Sequence, residues 1–243
     1  MKPVLKSSVV FFLLNAYLHA AGAPLQQPGD MVSKGPMVVS PNLTKESLPV
    51  EIKEPVKVID KDTSFNQIDT RVKIAASRLK ENMVGLKDYL QTNGFNTDYC
   101  FMVDMSIPSG KKRFFVVNLN TESVELSSLV SHGSGSYKRG VEELTFSNNP
   151  NSNATSLGKY KIGAPYWGTY GYSYRLAGLD SSNNNALARS VVLHSDSYVP
   201  DKEVYPYPIY MSAGCPIVSP TVLASLGKYI AASKKPILLW IYY

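Results

Sequence analysis

The feature that most constrains this chain is a change of hydrophobic period at Asn93-Gly94. Before it, Ile68, Val72, Ala75, Leu79, Met83, Leu86 and Leu90 recur at steps of three and four, the stripe of an amphipathic helix. Ser64-x-x-Gln67 opens the stripe as a capping box, in which hydroxyl and amide satisfy free backbone donors. Gly85 in its interior admits either one long helix or two shorter ones. Asn93 and Gly94 tolerate the left-handed conformation that ends a helix.

After Gly94 the pattern becomes that of strands. Tyr99–Met105, Arg113–Leu119 and Val124–Ser131 are rich in aromatic and branched residues, with Pro-Ser-Gly and Asn-x-Asn turn signals between them. Tyr172–Leu176, Ser190–Ser195 and Pro236–Tyr242 read as further strands. Ser219-Pro220 starts a later helix, with Val222, Leu226 and Tyr229 on one face. Residues 146–158 read as an Asn- and Ser-rich loop. The expected class is mainly β with flanking helices (α+β): a β-sandwich-like domain over 96–243, preceded by a helical lead-in over 61–95.

The first 60 residues read differently. Lys2 and Lys6 precede a short apolar run from Val9 to Leu14, and Ala20-Ala21-Gly22-Ala23 follows. A basic start, a brief apolar core and an Ala-x-Ala end describe a secretory signal peptide over 1–23, so export is expected. Residues 24–60 carry Pro28, Pro36, Pro41, Pro49 and Pro55 without a sustained period, and read as a linker or arm. No later segment is long and apolar enough to cross a membrane. The formal charge of +6 over 243 residues suits an anionic polymer. Lys and Arg are nowhere interleaved with aromatics in a run, which argues against nucleic acid.

Export leaves two readings of the two cysteines. Cys100 and Cys215 can close one disulfide, as in a non-catalytic binding module, or Cys215 can be a reactive thiol. Cys215 lies in Ser212-Ala213-Gly214-Cys215-Pro216, where Gly214 permits a sharp bend and Pro216 fixes the chain beyond it. Such a turn offers a sulfur beside backbone N–H groups, which an acyl-transfer site needs for its oxyanion. A thiol also needs a base nearby. With His19 in the signal segment, His132 and His194 remain. His194 ends the apolar strand Val191–Leu193, whereas His132 sits in His-Gly-Ser-Gly-Ser and reads as a surface turn residue.

His194-Ser195, a connection of about twenty residues, and Ser212-x-Gly214-Cys215-Pro216 together resemble the L,D-transpeptidase catalytic domain (YkuD-like). His132-Gly133, Ser147-Asn148, Ser156-Leu157-Gly158-Lys159-Tyr160 and Arg189 add to the likeness, which covers roughly Ile68 to Ile241. The resemblance implies that Cys215 is the nucleophile and His194 its base. The Ser195 carbonyl would orient the imidazole, and the Gly214 and Cys215 N–H groups would hold the oxyanion. Ser212, Tyr160, His132 and Arg189 would contact substrate. It implies action on peptidoglycan stem peptides, with an amine acceptor for crosslinking or water for an L,D-carboxypeptidase. It also implies a bacterial, periplasmic or secreted protein, a monomer, and no metal or organic cofactor. The sequence departs from the common pattern at Ala213, where histidine usually precedes Gly-Cys, and at Met211, where Arg often precedes the serine. The Tyr160–Tyr174 and Tyr205–Tyr210 stretches read as a cleft wall and lid, or as aromatic packing on a small core.

Overall fold

A computed structural model of the chain describes residues 73–141 and 143–243. The segments expected to be a signal peptide (1–23) and a linker or arm (24–60), and the capping box expected at Ser64, lie outside the described residues, as do Ile68 and Val72. Within them the helical stripe is two helices, α1 over residues 73–83 and α2 at Leu86–Thr92. Gly85 separates them at φ 69°, a left-handed conformation that a side chain would disfavour. Leu79, Leu86 and Leu90 face inward and meet Cys100, Met102, Val117, Leu238 and Tyr242.

Eight strands follow: β1 Tyr99–Asp104, β2 Phe114–Asn118, β3 Ser123–Ser128, β4 Gly158–Gly168, β5 Gly171–Gly178, β6 Val192–Ser195, β7 Ile217–Val218 and β8 Leu238–Tyr242. They form one mixed sheet in the order β3-β2-β1-β8-β4-β5-β6-β7. The β1–β8 and β6–β7 pairs are parallel and the others antiparallel. The domain is therefore β-rich with flanking helices. One helix, α3 at Pro220–Ala232, intervenes between β7 and β8. Ser219 caps it by accepting a hydrogen bond from the Val222 N–H, and Pro220 occupies its first turn.

The period-two alternation of strands divides the core. Phe101 and Val103 of β1 and Leu239 and Ile241 of β8 pack with Leu223 and Leu226 of α3. Their neighbours Cys100, Met102, Leu238 and Tyr242 face α1 and α2 on the other side. An Arg78–Asp104 ion pair at 3.1 Å ties α1 to the end of β1, where the carboxylate is fully buried. Two strands have no clear sequence signal. β4 contains Gly163 and Pro165 and is irregular between Ile162 and Pro165, yet β5 and β8 pair with it on either side. β7 is two residues long and exists because β6 runs beside it.

Candidate active site

The parallel β6–β7 pair builds the site. His194 is in register with Ile217, so Cys215, two residues earlier, comes back beside the start of β6. The Val192 N–H donates to Cys215 Sγ at 3.4 Å, and the thiol lies 3.8 Å from the Ser190 carbonyl. His194 belongs to the sheet face opposite Leu193, whose side chain fills the α3-side core. Its Nδ1 lies 3.3 Å from the Ser195 carbonyl oxygen. The imidazole is only 3% exposed because Tyr170, at the tip between β4 and β5, stacks on it with ring centroids 4.6 Å apart.

Electrostatics follow from this burial. Removal from water pushes the His194 imidazole below its usual value, partly offset by the Ser195 carbonyl and by Asp196. The Cys215 thiol is pushed up by burial, and pulled back by the Val192 N–H and the Arg189 cation. Both cysteines are free. Cys100 packs beneath α1 and α2, whereas Cys215 borders the cluster of Leu129, Val199, Ile209 and Ile217. The disulfide of the non-catalytic reading is not formed.

The turn around Cys215 is held from behind. Gly214 sits at φ 116°, and a Cβ there would lie 2.9 Å from the Ala154 carbonyl oxygen and 3.2 Å from Arg189 Nη2. The Gly214 N–H donates to Ser212 Oγ at 3.0 Å. It is thus already engaged by the protein, which differs from the oxyanion contact expected of it. Ser212 is buried; its N–H donates to the His132 carbonyl at 2.9 Å, and its own carbonyl accepts from the Ser134 N–H at 2.7 Å.

Arg189, expected to contact substrate, is half-buried with its guanidinium engaged by the protein. Its Nη1 donates to the Ser147 carbonyl at 2.9 Å and to Ser156 Oγ at 3.2 Å. Its Nη2 donates to the Ala154 carbonyl at 2.6 Å and to Ser152 Oγ at 3.3 Å. The guanidinium fork clamps the loop of residues 147–156 against the cysteine turn.

His132 is likewise not a surface residue. It is 5% exposed, and its Nδ1 accepts from Arg113 Nη2 at 2.9 Å. Burial and the neighbouring guanidinium push it down to about 3, so the ring is neutral at pH 7. Arg113, itself buried, spends its other donors on the Val130 and Ile107 carbonyls. Tyr160 is fully buried in the α3-side core, its hydroxyl donating to the Ser156 carbonyl at 2.7 Å. It lines no open cleft. The tyrosine-rich stretches divide between the two readings: Tyr160 and Tyr174 are core, while Tyr170, Tyr172, Tyr207 and Tyr210 are exposed. Sequence spacing does not single out Tyr170 or Arg113. Tyr170 lies inside an aromatic stretch, and Arg113 has the pattern of any strand-flanking cation.

The sequence pattern of the L,D-transpeptidase catalytic domain matches residues 70–242. The chain belongs to that family. No curated protein matches it. Solved structures similar to it include an L,D-transpeptidase from Xylanimonas cellulosilytica, at 14% identity and TM-score 0.33, covering 59% of this chain and 60% of that one. A second is an L,D-transpeptidase from Mycobacterium tuberculosis, at 14% identity and TM-score 0.31, covering 60% and 58%. A third is the helical cell shape determining protein Pgp2 from Campylobacter jejuni, at 11% identity and TM-score 0.37, covering 64% and 54%. The chain thus spans about three fifths or less of each of these proteins. Within the L,D-transpeptidase domain, the segments His132-Gly133, Ser147, Ser156 and Arg189 converge behind Cys215. No group of three or more His, Cys, Asp or Glu side chains able to hold a metal occurs among the described residues. Nor is any helix there long and apolar enough to cross a membrane.

Proposed function

We propose that the protein is an exported bacterial L,D-transpeptidase that acts on peptidoglycan stem peptides through Cys215. The observation that carries this reading is the β6–β7 register, which sets a free thiol two residues before the partner of His194. Cys215 Sγ attacks the carbonyl carbon of the diaminopimelate residue, and its proton passes to His194. The C–N bond to the terminal D-alanine breaks, His194 returns the proton to the leaving amine, and a thioester remains on Cys215. An amine of a second stem, or water, then attacks that thioester and restores the thiol.

In this reading the Ser195 carbonyl holds the imidazole by its Nδ1, leaving Nε2 for the proton transfer. The Cys215 N–H serves the oxyanion, joined by the Gly214 N–H once substrate displaces Ser212 Oγ. The clamp of Arg189 and the buried Ser212 position the turn rather than touch substrate. Support comes from family membership and from the thiol being free rather than disulfide-bonded.

The test is mass spectrometry of purified wall fragments incubated with the full chain. Crosslinked dimers with loss of D-alanine are the expected product; trimmed monomers alone would place water as the acceptor and make the protein an L,D-carboxypeptidase. His194→Ala should slow thioester formation by on the order of a hundredfold, the scale of a positioned proton acceptor. Fragments left unchanged by the native protein, or processed normally by Cys215→Ala, would overturn the assignment.

A further inference from the structure

The β4–β5 hairpin carries aromatic surface that the chemistry at Cys215 does not use. Trp167 is in register with Tyr172 and Gly168 with Gly171, so Thr169 and Tyr170 form a two-residue tip. Trp167 is 80% exposed, Tyr170 59% and Tyr172 39%. The Trp167 and Tyr172 rings meet edge to face, 5.6 Å between centroids at 64°, and most of the indole stays open to solvent. Aromatic rings gain free energy on leaving water, so a hairpin that holds them exposed marks a contact surface.

The charge of that surface narrows its occupant. From Gly163 to Ser173 there is no Asp, Glu, Lys or Arg. A nucleic acid or an anionic bilayer is held by Lys and Arg; Arg175, just beyond this stretch, stacks on the Tyr166 ring at 4.0 Å and by alternation lies on the face opposite Trp167 and Tyr172. A neutral sugar chain needs no Lys or Arg. Each pyranose ring presents a patch of C–H groups on its face and hydroxyls at its edge. Aromatic faces rimmed by the hydroxyls of Tyr172, Tyr170 and Thr169 match that arrangement.

Position narrows it further. Tyr166, Ser173 and His194 stand in register across three adjacent strands, so Tyr166 lies about 10 Å from His194 and Trp167 is the next residue. Alternation puts Trp167 and Tyr172 on the opposite face of the hairpin from Ser173, and Tyr170 at the tip reaches the His194 ring. A chain resting on the indole face is thus one hairpin's width from the candidate base.

We propose that Trp167 and Tyr172 form a stacking platform for a neutral polysaccharide, the glycan strand whose peptide branch crosses the tip to Cys215. The identity of the strand rests on the function proposed above; the stacking of sugar rings does not.

The experiment titrates the full chain and each variant with the hexamer of N-acetylglucosamine, which carries no peptide, by isothermal calorimetry, and follows tryptophan fluorescence in the native protein as well. A saturable change is expected, with affinity at least tenfold weaker in Trp167→Ala and Tyr172→Ala and largely retained in Trp167→Phe. Melting curves of each variant check that the fold is kept, and Lys80→Gln, exposed on α1, serves as the unaffected control. No saturable change, or equal binding by Trp167→Ala, overturns the proposal. So does a result in which lipid vesicles or self-association, and not the hexamer, change the Trp167 signal. Hexamer binding needs no thiol. An inert Cys215 with intact binding would sink the enzyme reading alone, and active Cys215 without binding would sink the platform alone.

Discussion

Replacing Arg189 with alanine tests whether the cysteine turn is held from behind. The guanidinium donates to two backbone carbonyls, Ser147 and Ala154, and to two hydroxyls, Ser152 and Ser156. Charged donors of this kind are worth about 1.5–3 kcal/mol each when their acceptors are left dry. Arg189 is half-buried, so water replaces part of the loss, and a net cost of about 2–4 kcal/mol is expected. For a domain of this size that lowers the melting temperature by roughly 5–15 °C. A second effect is electrostatic. The Arg189 cation is one of two influences that oppose burial at the Cys215 thiol, so its loss raises that thiol further. Alkylation of Cys215 by iodoacetamide then slows at pH 7, and its pH curve moves upward. Arg189→Lys separates the two effects: an ammonium restores charge but cannot span both carbonyls, so the pH curve recovers more than the melt. An alanine variant with an unshifted pH curve and a melt within about 3 °C of the native protein would refute the clamp.

Cys215→Ala should abolish wall processing with an unchanged melt, whereas Cys100→Ala, in the dry layer beneath α1 and α2, should keep activity and lose about 1 kcal/mol of stability. Muropeptide assays paired with thermal melts check both. Gly214→Ala should cost at least about 1–2 kcal/mol from its φ of 116° alone, with more from the approach to the Ala154 carbonyl. A variant with native turnover would show that the turn tolerates a side chain. His132 stays neutral in the folded protein down to about pH 3, while in the unfolded chain it takes a proton near 6.5. Its folded value is depressed, so the unfolded state binds more protons between those limits; stability is full above about pH 6.5 and falls as pH drops toward 3. Urea midpoints from pH 7 to 4 should fall less steeply in His132→Gln than in the native protein, and equal slopes would sink this account.

Much of the fold was legible in the sequence wherever a segment buries its own stripe. Leu79, Leu86 and Leu90 announced the helices, and Ser219-Pro220 announced the third, whose expected face of Val222, Leu226 and Tyr229 meets the core together with Leu223. β4 was not legible. Its Gly163 and Pro165 argue against a strand, and what makes it one is pairing to β8, some 80 residues later, in Tyr160↔Leu239 and its neighbours. Local propensity carries no record of a partner that far along the chain.

The candidate site divides along the same line. Cys215 and His194 stood out because their chemistry resides in their own side chains. Arg189 and Ser156 stood out too, but their task did not: two of the four atoms that Arg189 grips are backbone carbonyls, which have no letter in a sequence. His132 shows the point most sharply. Its glycine neighbour suggested a flexible surface turn. In the structure a Cβ at Gly133 would sit 2.1 Å from the Asn153 carbonyl, so that glycine is there for closeness, not mobility. The same close approach lets the His132 carbonyl reach the Ser212 N–H, three residues from the nucleophile. A glycine that permits motion and one that permits contact are identical in sequence, and only the packing of residues 153–155 against 132–133 distinguishes them.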